Sequence, residues 1–268
     1  MIALLITVPI IAYISMIAFR SLGWTVVNYE GKSVPYSLGV IILYGYATYC
    51  MIVPEETYAI AFSYQALAYV VGIWFLGFID DRYGTKEPKG LRGHLYFVWT
   101  KKIPTTGLTK LIGTFILSML FVYHLHTTSI YEAIRYFLLL SWFPHLANLF
   151  DTRPLRVCKF TTIILIPILL SYPAPAFFLL IYGLAIFYLW FVLEGHRQAL
   201  LGDNGSTTAG AVLAIIIIQF TPPHIQWLIV FGVGFLIFLA ERISFSKVIN
   251  ASGILKWLDG IGVPFQQK

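Results

Sequence analysis

Polar and apolar residues along this chain fall into long blocks, without the short periods of a soluble fold. Apolar runs lie at about 2–19, 34–53, 58–79, 108–123, 131–149, 160–172, 174–193, 206–220 and 224–240. Most approach the roughly 20 residues a helix needs to cross a bilayer. The region 160–193 is broken at Pro173 and Pro175, and its SYPAPA turn predicts a helical hairpin in preference to a re-entrant element. The first 19 residues carry no basic leader and no small-residue cleavage site follows them, so they read as a retained span. No soluble domain boundary or internal repeat interrupts the series. The pattern predicts an all-α polytopic membrane bundle of about nine transmembrane helices over 1–241, followed by an interfacial amphipathic tail over 242–268 with Trp257 as its anchor.

Composition agrees and excludes a soluble globule. Of 268 residues, 59% are hydrophobic and 11% charged, and the mean hydropathy is +0.80, against about 25% charged residues in soluble domains. The net charge of +6 would suit nucleic acid in a polar chain; here its distribution gives a different answer. With the N-terminus outside, loops 20–33, 80–107, 150–159 and 194–205 and the tail share one side, which then holds 17 of the 18 Lys and Arg, leaving Arg135 opposite. The opposite loops carry Glu55, Glu56 and Glu132. Lys and Arg are retained in the cytoplasm, so the C-terminus is expected there, in a plasma-membrane protein. No acidic or basic residue lies deep in a run, which argues against an ion-coupled transporter. Cys50 and Cys158 fall toward opposite faces of the bilayer and read as free buried thiols.

The candidate chemistry gathers on the basic side. Asp80 and Asp81 end the third run; side by side they repel, and a cation or hydrogen bonds must compensate. The alternative is two solvated acids at a helix end, where the helix dipole disfavours them. Gly202-Asp203-Asn204-Gly205-Ser206 opens the eighth run, where Asp203 or Asn204 could cap the helix and backbone N–H groups could face an anion. Asn148 and Asp151 close the fifth run three residues apart, on one helical side; an ordinary helix end explains each of these equally well in isolation. What distinguishes them is their convergence on one face, beside Arg82, Lys86, Lys89, Arg92, Lys101, Lys102 and Lys110, most of which also read as ordinary inside-facing loop charges. His94 lies within HLYFVWTKK, which reads as a helix on the membrane surface, and Glu194-Gly195-His196-Arg197 precedes the GDNGS segment. His124 and His126 fall outside and take no role.

GFIDD at 77–81, KGL at 89–91, KLIG at 110–113, NLFD at 148–151 and GDNGS at 202–206, in that order, resemble the polyprenyl-phosphate N-acetylhexosamine-1-phosphate transferases, the MraY/WecA/TagO superfamily, over roughly 30–260. The resemblance implies a Mg²⁺-dependent membrane enzyme that moves a sugar-1-phosphate from a UDP-sugar onto an undecaprenyl-type lipid phosphate, releasing UMP, for cell-envelope glycan synthesis. By the same resemblance Asp203 is a magnesium ligand, Asp80 acts at or near the lipid phosphate and the metal, and Asp81 stands beside it. Lys110 lies near the phosphates, while Asn148 and Asp151 contact nucleotide and metal. Lys89, Arg92, His94, Arg153, Gly202 and Asn204 are expected to bind substrate, and pairing into a homodimer is compatible with the family. The chain departs from the family where a second motif aspartate would follow Asp151: Thr152-Arg153-Pro154 stands there. A His-rich cytoplasmic loop is also missing, which points away from a MurNAc-pentapeptide donor. A catalytically weakened homologue that binds polyprenyl phosphate or scaffolds envelope synthesis is the alternative. A CDP-alcohol phosphotransferase is disfavoured because its spaced aspartates are not here.

Overall fold

The computed structural model describes residues 2–28, 31–53, 60–84, 97, 99–101, 105–171 and 176–264. Lys86, Lys89, Arg92, His94, Lys102, Glu55, Glu56, most of the HLYFVWTKK segment and the Pro173–Pro175 turn lie outside the described residues. Among the described residues the bundle is formed by α1 (Ile2–Ser21), α2 (Leu38–Ile52), α3 (Tyr64–Tyr83), α4 (Thr106–His124), α5 (Ile130–Phe150), α6 (Arg156–Ser171), α7 (Phe177–Gly195), α8 (Gly202–Phe220) and α9 (Pro223–Ala240). Two short helices, α10 (Phe245–Ala251) and α11 (Gly253–Gly260), make up the tail. Four of these, α1, α4, α7 and α9, are long and apolar enough to cross a membrane, which makes this a helical membrane protein.

Each apolar run becomes one helix, and local chemistry sets several starts. Ser63 and Thr105 cap α3 and α4 by accepting from Ala66 N (3.1 Å) and Leu108 N (3.3 Å). Ser129 caps α5 at Glu132 N (3.2 Å), while the Glu132 carboxylate reaches back to Thr128 N (2.8 Å), a variant of the capping box. Pro223 opens α9, where its missing N–H costs nothing. Two boundaries differ from the hydrophobic pattern. Residues 34 and 35 leave the second run and, with Ser33, pair as β2 (Ser33–Pro35) with β1 (Thr25–Val27) in a two-stranded antiparallel ribbon. Asp80 and Asp81 lie inside the last turn of α3 instead of beyond its end.

The bundle is organised around α8, which packs against α2, α3, α5 and α6. Every residue from Asn204 to Ala211 is buried, and those after Asn204 are small: Gly, Ser, Thr and Ala. Apolar burial contributes little between helices in lipid, so small residues that let backbones approach are what bring neighbours close. On one side of α8 the core includes Tyr69, Ile73, Leu140 and Phe143; on the other it includes Leu38, Ile41, Tyr182 and Trp190. Large side chains such as Ile163, Leu170, Leu228 and Phe231 point outward. Cys50 and Cys158 are both free and buried.

Candidate active site

The N-terminal end of α8 is where the sequence motifs meet. Asp203 and Asn204 do not cap their own helix; Asp81 does, from α3. Its Oδ1 accepts from Asp203 N at 2.8 Å and its Oδ2 from Asn204 N at 2.8 Å. The Asn204 side-chain amide adds a third donor to Oδ2 at 2.7 Å and also donates to Tyr36 O at 3.0 Å. Asp81 therefore supplies the negative charge that a helix N-terminus favours, across a tertiary contact.

Two glycines make this contact possible. Gly202 adopts φ +65°, and a Cβ there would lie 2.8 Å from Asp81 Oδ1. At Gly77, one turn before the aspartates, a Cβ would lie 2.6 Å from Asp203 O. GFIDD and GDNGS are thus two halves of one helix–helix contact.

The second aspartate of that contact is free to face the other way. Lys110, in the first turns of α4, places its ammonium between Asp80 Oδ2 (2.6 Å) and Asp203 Oδ2 (2.5 Å). Asn148, near the end of α5, completes the group. With its amide nitrogen toward Asp203, it donates to Asp203 Oδ1 at 2.7 Å and to Ser206 Oγ at 3.1 Å, and its oxygen accepts from Lys110 Nζ at 3.1 Å. Five side chains from α3, α4, α5 and α8 (Asp80, Asp81, Lys110, Asn148 and Asp203) thus share one constellation, all at one end of the bundle.

Asp151, one turn past Asn148, caps the end of α5 through its backbone and hydrogen-bonds with that N–H to Ala147 O and Asn148 O, both at 3.2 Å. Its carboxyl is held well above the ordinary carboxylate range, first by burial and then by the negative charges of Glu194, Asp203 and Asp81. It belongs to the same acidic field but pairs with no cation among the described residues.

The remaining sequence candidates divide. Asn204 is 0% exposed and acts as a strut between Asp81 and Tyr36. Gly202 shapes the backbone. Arg153 lines a basin against the tail. Thr152, where the second motif aspartate would follow, accepts from Arg156 Nη1 at 2.6 Å, and Arg156 in turn forms a two-pronged ion pair with Asp259 of α11 (2.7 and 2.8 Å). Glu194 is 1% exposed and accepts from Trp190 Nε1 at 2.7 Å, so it is a buried residue. Arg197 donates to Pro264 O at 3.3 Å. Lys89, Arg92 and His94 lie outside the described residues.

Sequence reasoning passed over Ser206, Tyr36 and His145. Ser206 was visible as part of GDNGS but reads as a small helix residue. Tyr36 contributes a backbone carbonyl, which no side-chain pattern reports. His145 lies three residues before Asn148, on the same helical side, and only the position of Lys110 beside that side distinguishes it.

Among the described residues no group of three or more His, Cys, Asp or Glu is arranged to hold a metal ion. The donors around Lys110 are all oxygens, on two carboxylates and one amide. No protein-family model matches the chain, and neither a curated protein nor a solved structure does.

Proposed function

We propose that this protein transfers a sugar-1-phosphate, of the N-acetylhexosamine-1-phosphate class, from a UDP-sugar to a polyprenyl phosphate, with Asp80, Lys110, Asn148 and Asp203 at the reacting centre. The observation that carries this reading is the Lys110 ammonium held between Asp80 and Asp203. Two carboxylates from distant helices are brought close enough to demand a cation, a place that the Lys110 ammonium takes here, next to an amide suited to diphosphate oxygens. Nine spans with the N-terminus outside would put this end of the bundle on the cytoplasmic face, where a soluble nucleotide meets a lipid headgroup.

The residues fit Mg²⁺ in donor type and number. That ion takes oxygen ligands, keeps several waters and uses only one or two carboxylates, which Asp80 and Asp203 supply. When bound it would neutralise charge on the oxygens of the diphosphate. The chain's own groups do the rest by position and charge. The lipid phosphate is ionised at neutral pH, so its oxygen needs aiming, not deprotonation, and Asp80 is a site organiser before it is a base. That oxygen forms a bond to the sugar-linked phosphorus. The bond from this phosphorus to the oxygen bridging the two phosphates breaks, and UMP leaves with the bridging oxygen. Lys110 and Asn148 are placed to bind the oxygens on which charge accumulates. Asp81 holds the N-terminus of α8 in register, and Asp151 adds to the negative field.

One observation favours a second reading. The turn at 152–154 has no carboxylate, and it is tied to the tail through Thr152 and Arg156. A homologue that binds polyprenyl phosphate without turning it over would look like this. Release of UMP from a panel of UDP-sugars, with undecaprenyl phosphate and Mg²⁺, separates the two. Transfer by the native chain and none by Asp203→Asn supports the enzyme; lipid binding with no UMP from any donor supports the weakened homologue.

A further inference from the structure

The tail does more than cover the end of the bundle. Arg156 grips Asp259 with two hydrogen bonds (2.7 and 2.8 Å), and Lys159 Nζ donates to the carbonyls of Leu258 (2.9 Å) and Asp259 (2.6 Å). Phe245 stacks on Phe150 at 5.0 Å. These contacts fix α11 beside the N-terminus of α6, at the same end of the bundle as the acidic site. Between α11, the Gly260–Pro264 segment and the Arg153–Pro154 turn lies a basin of about 850 Å³. Two of its lining residues are cations, Arg153 and Lys256, and neither has a carboxylate partner among the described residues. Asp259, the one acid among the described lining residues, is already taken by Arg156.

Among the described residues the apolar side of α11 is unpartnered. Ile254 and Trp257 are 74% and 68% exposed, and Leu258 and Ile261 are exposed too. At helical spacing 254, 257, 258 and 261 share a face, whereas Lys256 lies one turn before Asp259, on the docked side. An aromatic and aliphatic face beside two cations, held at the end of membrane-embedded helices, is the pattern of a lipid headgroup contact. The outward Ile163 and Leu170 of α6 continue that apolar surface along the bundle.

We propose that the basin between Arg153 and α11 binds the phosphate of an anionic lipid from the surrounding bilayer, with Arg153 and Lys256 on the headgroup and the Trp257 face in the acyl region. This goes beyond the transferase reading and does not depend on it. The test uses the full chain in detergent and native mass spectrometry, with phosphatidylglycerol, phosphatidylcholine or inorganic phosphate added. Phosphatidylglycerol should be retained in preference to phosphatidylcholine, and Arg153→Gln/Lys256→Gln should weaken it roughly fivefold for each cation removed. The same charge loss at Arg242 and Lys247 should leave retention unchanged. Arg153→Lys/Lys256→Arg should keep it, which shows that loss in the Gln variant is not misfolding. Equal retention of both lipids, an equal drop in the Arg242/Lys247 variant, or displacement of the lipid by millimolar inorganic phosphate would each overturn the proposal.

Discussion

Asp81 holds Asn204 twice, accepting from its backbone N–H at 2.8 Å and from its side-chain amide at 2.7 Å. Asp80, the residue before it, makes neither contact and pairs with Lys110 instead. Adjacent aspartates therefore do different work, and substitution should separate them. Asp81→Asn removes the charge at the N-terminus of α8 and puts an amide N–H where an acceptor is needed. A loss of about 1–2 kcal/mol is expected, as for a lost helix cap, read as a lower melting temperature in detergent. Asp80→Asn should leave melting much closer to the native chain and abolish UMP release. Equal melting of the two variants would contradict the division.

Lys110 is the cation that allows Asp80 and Asp203 to face each other. Lys110→Met would leave two part-buried carboxylates unpaired, a change that costs about 3 kcal/mol or more when a buried pair is broken. A divalent ion at the same oxygens would replace the missing charge. Millimolar Mg²⁺ should therefore raise the melting temperature of Lys110→Met more than that of the native chain, and Asp80→Asn/Lys110→Met should lose the gain. A Mg²⁺ effect equal in all three would place any ion elsewhere.

The helices were legible because lipid forces the backbone to satisfy itself, so each apolar run could only be a helix. The ribbon of residues 25–35 was not, since three-residue strands leave no periodic trace and Ser33–Pro35 adjoin an apolar run. For the site, the sequence named Asp80, Asp81, Lys110, Asn148 and Asp203 by type and order, but not which acid faces which partner. That choice comes from the approach of α3 to α8 at Gly77 and Gly202, a tertiary fact. Arg153 shows the converse: its position after Asp151 suggested substrate, and only the folded chain sets it in the lining of the basin against the tail.

Gly202 should tolerate substitution poorly for two separate reasons. Its φ of +65° costs an alanine roughly 1–2 kcal/mol, and the added Cβ would meet Asp81 Oδ1 at 2.8 Å. Gly202→Ala should therefore lower both melting temperature and UMP release. Gly232→Ala, in α9 where a Cβ meets nothing within 4 Å, is expected to be neutral or stabilising because alanine favours the helix. Similar melting of the two variants would mean that Gly202 is not held by the Asp81 contact.

The tail clamp carries a pH signature whose sign follows from Asp259. Burial opposes its ionisation, but the Arg156 guanidinium bonded to it, with the charges of Arg156, Lys159 and Arg153, prevails and holds its pKa below the ordinary carboxylate value. A carboxylate lowered in the folded state contributes stability above its unfolded pKa, near 4, and that contribution fades as pH falls through the lower folded value. Tail docking should thus be constant from pH 8 to about 5 and weaken only below about 4. Limited proteolysis between Glu241 and Ser252 by an acid-active protease measures this directly: cleavage should accelerate severalfold below pH 4 in the native chain. Asp259→Asn should be cleaved rapidly already at pH 5 and change little on further acidification. A native tail that loosens already at pH 6 would show that some group other than Asp259 governs the clamp.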